Sequence, residues 1–375
     1  MSHIDIEDIA NALCVLCMVL GLRLTNRLDR LAFWVLLLRV CMVFFTNDVL
    51  FPVSYMPDQL RYIRCAIMYR GEPSEWCMRF GYAVTVSSAA KVFAAFPMPF
   101  MVSVRSTSLV NMTLVIWMYL LLHRGGFLTE ESRKFFLLYP SFILYSAIGV
   151  RDIFILLSMM MALYFLFERR QFFLGLACTY PLMFIKPQNF FMILVPFALT
   201  ALAGESRGRM IMTVVLGFIF TFAMLLGAGY LGELNTYRAN FYLEDGGMGQ
   251  VELLSASPYL AIQLLSSAIG VLLMPMPWQA GGAFQLIQSV ENLIVGAIVF
   301  AYWRRQPKPG MENKFLNLKL FLFSSMMIYG AVIFNYGTAA RYRFPFLLLF
   351  VLFADRMTIA PAKKPKLDKT AKKTS

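Results

Sequence analysis

The chain has 375 residues, 59% of them hydrophobic and only 15% charged, with a mean hydropathy of +0.65. A soluble domain is nearer a quarter charged and under half apolar, so this composition excludes an ordinary soluble globular protein. The formal net charge of +13 does not point to nucleic acid: six lysines (Lys363, Lys364, Lys366, Lys369, Lys372 and Lys373) crowd the C-terminal tail, 361–375, which reads as a disordered cytoplasmic anchor near anionic lipid.

Apolar runs of helical length recur at 9–22, 31–51, 107–122, 135–150, 153–167, 172–185, 190–203, 210–231, 284–303, 315–334 and 344–353. They are continuous, whereas barrel strands alternate every second residue. The predicted fold class is therefore all-α: a polytopic integral membrane protein with about 11 transmembrane helices, residues 1–360 forming one domain. Several runs are short. Sixteen helical residues reach about 24 Å against a hydrocarbon core of roughly 30 Å, so some segments are expected to form hairpins shielded by other helices.

Basic residues orient the chain. One set of connections holds 21 of the 34 lysines and arginines, from Arg23, Arg27 and Arg30 to the tail beyond Arg356; the other set holds 11. By the positive-inside rule the richer set is cytoplasmic, the N-terminus is outside and the C-terminus inside. The first span has no basic n-region and reads as a retained anchor. Two long segments then lie outside, at 52–106 and 232–283. The first contains an amphipathic piece at 83–104, suited to the interface, and the second an apolar stretch at 259–273 read as a re-entrant or surface helix. Cys65 and Cys77 share the first outer segment, either as a disulfide or as two free thiols; Cys14, Cys17, Cys41 and Cys178 lie in apolar runs.

No P-loop, HExxH or GxSxG motif is present, the cysteines have no metal spacing, and the two histidines are His3 and His123, so neither a metal site nor a cofactor is expected. The outer connections carry arginines and carboxylates instead. Asp58, Arg61 and Tyr62 share a helical face, with Arg64 one turn on, so Asp58 is a candidate general base and Arg61 and Arg64 candidate phosphate contacts. The alternative is an ordinary surface Asp–Arg pair worth under about 1 kcal/mol. Arg151–Asp152 lies in a tight turn between two short apolar runs, where a buried pair calls for a partner or a wet cavity. Lys186 occupies the next outer turn, and Arg341 and Arg343 precede Pro345 at the last span. An extended approach there lets both guanidinium forks reach one diphosphate, while snorkelling to headgroups is the ordinary reading of each alone. Arg238 and Tyr237 in the second outer segment and Glu291 within a span are weaker candidates, and a salt bridge to Lys319 would satisfy Glu291 equally well.

The order of Asp58 and Tyr62, Gly149-Val-Arg151-Asp152, Pro275-Met-Pro-Trp278 and Asn335-Tyr-Gly-Thr338 with Arg341-Tyr-Arg343-Phe-Pro345 resembles bacterial polysaccharide polymerases of the Wzy/EpsG type, which belong broadly with the GT-C membrane glycosyltransferases. The resemblance implies an inner-membrane enzyme that joins glycan repeat units carried on undecaprenyl diphosphate, on the extracytoplasmic side. Its partners would be that lipid-linked oligosaccharide, membrane lipid and other polysaccharide-assembly proteins. It would make Arg151, Arg341 and Arg343 diphosphate or glycan binders, Asp58 an acceptor-side base, and Asp152 an alternative base or the group that orients Arg151. Two further functions fit the pattern of spans: a GT-C enzyme using a polyprenyl monophosphate sugar, and a flippase of lipid-linked sugars, which predicts ionisable residues along a path through the spans.

Overall fold

The computed structural model describes residues 5–47, 49–52, 56–71, 77, 83–203, 206–227, 230–244, 253–257, 259–333 and 336–359. The basic tail at 361–375, Gly246-Gly247 and Asn335 lie outside the described residues. The described residues form sixteen α-helices and no strand. In chain order they are α1 (Ile6–Leu24), α2 (Arg30–Thr46), α3 (Pro57–Gly71), α4 (Val84–Ala95), α5 (Val104–Arg124), α6 (Glu130–Leu138), α7 (Pro140–Ser146) and α8 (Asp152–Leu163). After a π-helical turn, Tyr164–Glu168, come α9 (Phe172–Ile185), α10 (Pro187–Ala203), α11 (Arg207–Gly227), α12 (Tyr230–Glu244), α13 (Leu260–Leu273), α14 (Ala283–Trp303), α15 (Glu312–Gly330) and α16 (Tyr336–Met357).

Among the described residues, three helices are long and apolar enough to cross a membrane: α5, α14 and α16. Their surroundings differ. The apolar windows of α5 and α16 are 78% and 83% buried within the protein, that of α14 only 22%. α14 therefore lies at the perimeter, with Ile287, Ile294 and Phe300 exposed, while α5 and α16 are the two hubs. α5 packs against α1, α2 and α3, and α16 against α6, α13, α14 and α15; α7 and α8 touch both hubs. The turn between α7 and α8 is thus held at the junction of the two halves. Between lipid-immersed helices the association comes from close packing rather than escape from water. Gly330 shows this: a Cβ there would meet the Ser267 and Ala268 backbone of α13 at 2.5–2.7 Å.

Several expected spans are redrawn. The run 135–150 is two short helices, because Pro140 cannot continue α6 and instead starts α7 at a first-turn position. The run 31–51 stops at Thr46. α13, at 14 residues, reaches about 21 Å and packs on α14, α15 and α16. The last helix begins at Tyr336, well before residue 344, and Pro345 is inside it. The amphipathic piece at 83–104 is helical only as α4, which lies on α3. Cys65 and Cys77 form a disulfide, with Cα atoms 5.3 Å apart.

Ion pairs between helices sort cleanly. Arg133–Asp29, Arg305–Glu131, Arg305–Asp355 and Arg356–Glu168 join residues near the connections rich in basic charge. Arg105–Asp8, Arg341–Asp58 and Arg341–Asp152 join residues of the other set. Each of these pairs stays within its own set, as two ends of one bundle would have it. At the first end Arg305 donates to Glu131 and holds its carboxyl below the usual value of 4.5.

Candidate functional site

The site is built on the turn between α7 and α8. Ala147 ends α7, and its carbonyl accepts from Asn47 Nδ2 at 3.0 Å. Asn111 Nδ2 donates to the carbonyls of Ile148 and Val150, both at 2.8 Å. The Gly149 N–H donates to Gln59 Oε1 of α3 at 2.9 Å. Glycine is required by close approach, since a Cβ would collide with Thr107 Oγ1 and lie 3.1 Å from the Val104 carbonyl. Four buried contacts from α2, α3 and α5 thereby fix where Arg151 and Asp152 emerge.

Asp152 opens α8, where the helix dipole favours a carboxylate. Its side chain is 2% exposed and accepts from Arg341 Nε at 2.7 Å. Arg341 also reaches Asp58 Oδ2 of α3 at 3.2 Å through Nη1. Asp58 is part-exposed, and Arg61 lies 3.6 Å from its other oxygen with its own side chain half exposed. Arg341 is therefore clamped between two carboxylates.

Among the described residues, no carboxylate pairs with Arg151 or Lys186. Arg151 Nη1 donates to the Ile185 carbonyl at 2.8 Å, and its buried Nε has no hydrogen-bond partner. Its guanidinium lies 5.9 Å from the ring centre of Tyr62, which is fully buried with an unpartnered hydroxyl. Lys186 sits between α9 and α10, 5% exposed, with its ammonium 3.1 Å from the Tyr342 ring centre and 5.6 Å from that of Tyr329. Arg151 and Lys186 line a cavity of about 260 Å³ with Gln188, Tyr237, Tyr329 and Tyr342. Gln188 Nε2 donates to the Tyr237 hydroxyl at 3.1 Å, bridging α10 and α12. Tyr329 donates to Asn189 and stacks on Tyr342, ring centres 5.1 Å apart. The group as a whole sets Arg61, Arg151, Lys186 and Arg341 against Asp58 and Asp152. Cations that converge in a low-dielectric site repel unless an anion joins them.

Of the residues expected from the sequence, Asp58, Arg61, Tyr62, Arg151, Asp152, Lys186 and Arg341 come together. Arg343 does not. Its Nη1 donates to the carbonyls of Val271, Leu272 and Met274, and its Nη2 to Asn292, so it caps the C-terminal end of α13. The approach to Pro345 is helical rather than extended, and two residues along a helix are about 200° apart, so Arg341 and Arg343 cannot share a ligand. Arg238 likewise serves a carbonyl, that of Ala331 just past α15, at 2.8 Å. Arg64 is exposed on α3. Asp152 pairs with Arg341, not with its neighbour Arg151, because Arg151 turns to the end of α9. Glu291 accepts from the Ser141 N–H at 2.9 Å, and Lys319 lies over the Phe315 ring at 4.3 Å, so the two do not pair. Among the described residues no group of three or more His, Cys, Asp or Glu side chains converges.

Sequence reading named Gly149 but missed the residues that hold the turn from other helices: Asn47, Gln59 and Asn111. For Asn47 and Asn111 the signal was present, since an amide inside an apolar run is costly and wants a specific partner. Compared with protein-family models, with curated proteins and with solved structures, the chain shows no match.

Proposed function

We propose that this chain is a polytopic, GT-C-like membrane glycosyltransferase that polymerises polyprenyl diphosphate-linked glycan repeat units for a surface polysaccharide, working at the extracytoplasmic face of a bacterial inner membrane. The observation that supports it is one cavity whose cations, Arg151 and Lys186, lack a carboxylate partner, beside two buried donors, Arg151 Nε and Tyr62 Oη, that lack any acceptor. An oxygen-rich anion satisfies all of them at once. The basic-poor end of the bundle, which carries this cavity, is the extracytoplasmic one by the positive-inside rule, with the N-terminus on the same side. The pocket is smaller than the roughly 300 Å³ at which drug-sized sites begin, so it takes the diphosphate and adjoining sugar and leaves the rest of the glycan outside.

In this reading Arg151 and Lys186 stabilise the negative charge that develops on the departing polyprenyl diphosphate. Tyr237 and Gln188 line the cavity on the side given to the sugar, while the ring of Tyr342 is taken by Lys186 and Tyr329. Arg341 is a positioning residue: it does not line the cavity, and it ties α16 to α3 and α8. Asp58 is the more accessible of the two carboxylates and remains the acceptor-side base of this proposal, with Asp152 reserved for Arg341.

The test is complementation of a deletion strain with wild type, Arg151→Gln or Lys186→Met at matched protein levels, with the surface glycan resolved on a gel. Collapse of the ladder to single repeat units in the deletion and in both variants is expected. An unchanged ladder overturns the reading. Full-length glycan lacking a single side sugar would favour the polyprenyl monophosphate donor, and lipid-linked units accumulating on the cytoplasmic side would favour a flippase.

A further inference from the structure

A second cavity, of about 380 Å³, opens at the other end of the bundle. It lies between the π turn after α8, the start of α9, α10 and the first turns of α11 and α15. Nothing in the proposed transfer reaction uses it. Its deepest polar group is Asn317, 2% exposed, one helical turn below Asn313 on the same face and about 6 Å further in. Asn317 Nδ2 donates to the Pro196 carbonyl at 3.0 Å and to Thr200 Oγ1 at 3.1 Å. Its Oδ1 is buried with no donor. An amide oxygen left so is a standing cost that a ligand donor would remove.

The rim is charged. Arg170 and Lys314 face one carboxylate, Glu312, among the lining residues, and Lys314 is steadied by the Phe167 carbonyl at 2.5 Å. The inner wall is apolar, from Leu166, Phe172 and Met210. The neighbours Phe173 and Ile211 are exposed on the perimeter, so the cavity adjoins the surface that lipid would cover. The volume corresponds to about a dozen waters at roughly 30 Å³ each, more than a bare ion requires.

We propose that this cavity binds the headgroup of an anionic glycerophospholipid carrying a free hydroxyl, with its phosphate on Arg170 and Lys314 and the hydroxyl donating to Asn317 Oδ1. A cationic headgroup is disfavoured because it would have to pass two cations to reach the buried oxygen. The apolar wall meets the glycerol backbone and the start of the acyl chains.

The experiment is native mass spectrometry of the full-length protein in neutral detergent, titrated with phosphatidylglycerol, phosphatidylmethanol, phosphatidylethanolamine or phosphatidylcholine. Phosphatidylglycerol should bind at least about tenfold tighter than phosphatidylcholine, as charge-assisted contacts to phosphate require. Arg170→Gln should weaken it severalfold and Arg170→Lys should restore much of the loss. Asn317→Leu should abolish the preference for phosphatidylglycerol over phosphatidylmethanol, which has the same charge and no headgroup hydroxyl. Retention volume on size exclusion confirms that each variant is folded. Equal binding of phosphatidylglycerol and phosphatidylcholine, a preference for phosphatidylethanolamine, or unchanged binding in both Arg170→Gln and Asn317→Leu overturns the proposal. Displacement of the lipid by millimolar glycerol 3-phosphate, with no lipid-specific gain, overturns the lipid assignment and identifies a soluble phosphate ester.

Discussion

The two ends of the bundle are both built from arginines and carboxylates, yet they differ in how the charges are matched. At the end bearing Glu131, Asp355 and Arg305, the cation is shared by two acids, the Tyr302 hydroxyl bonds to both, and Thr129 closes on Asp355. Arg133–Asp29 and Arg356–Glu168 complete a set of matched pairs. At the other end one pair of acids is spent on Arg341 while Arg151 and Lys186 face a cavity. A matched network holds helices together. The less matched one, kept in place by hydrogen bonds to a single turn, leaves Arg151 and Lys186 facing the cavity to which the proposed function assigns an anion.

The comparison breaks most sharply at Arg341. Arg341→Ala leaves Asp152 buried and uncompensated, a loss of about 3–5 kcal/mol. Fluorescence-detected size exclusion should show little folded protein. The double variant Arg341→Met with Asp152→Leu should recover much of it, because the penalty lies in the orphaned charge. Gly149→Ala should come next, since the turn must move away from Thr107. A loss of roughly 1–3 kcal/mol, as for other overpacked sites, should appear in thermal melts.

Lys186→Met separates the two ends in the opposite sense. Folding should survive or improve, because a buried cation without an ion-pair partner is replaced by an apolar chain of similar length. If the proposed function holds, transfer activity should fall by at least about a hundredfold, the scale of losing one preorganised charge at a reacting centre. Retained activity in a folded Lys186→Met protein would show that the cavity's charge is structural after all.

The smallest effect belongs to the matched end. Glu131 is more than half exposed, so Glu131→Gln should cost under about 1 kcal/mol. Its carboxyl is held below its usual value by Arg305, so its contribution is present at neutral pH and is lost as the pH falls through that lowered value. Melting curves from pH 7 down to 3 should show a decline that Glu131→Gln reduces. A steeper acid loss in Glu131→Gln than in wild type would contradict this sign.

The sequence by itself determined the helical class, the presence of membrane-length apolar helices and the division of the connections into two sets, because apolar run length and charge placement are local properties. It also pointed to the six gathered charges, Asp58, Arg61, Arg151, Asp152, Lys186 and Arg341, since a charge beside an apolar run is expensive wherever it sits. It did not determine the partners. Arg341 and Arg343 look equivalent along the chain, but the helix turns them to opposite sides, one to Asp58 and Asp152 and the other to the carbonyl end of α13. Arg151 and Asp152 are adjacent and oppositely charged, yet they part, because helix α8 carries the aspartate inward to α16 while the end of α9 offers Arg151 a carbonyl. Pro140 and Pro345 are alike in sequence; one starts a helix and the other is absorbed within one. Each of these outcomes depends on which groups lie across a helix–helix contact tens or hundreds of residues away, and only the packing of α5, α7, α8 and α16 decided that.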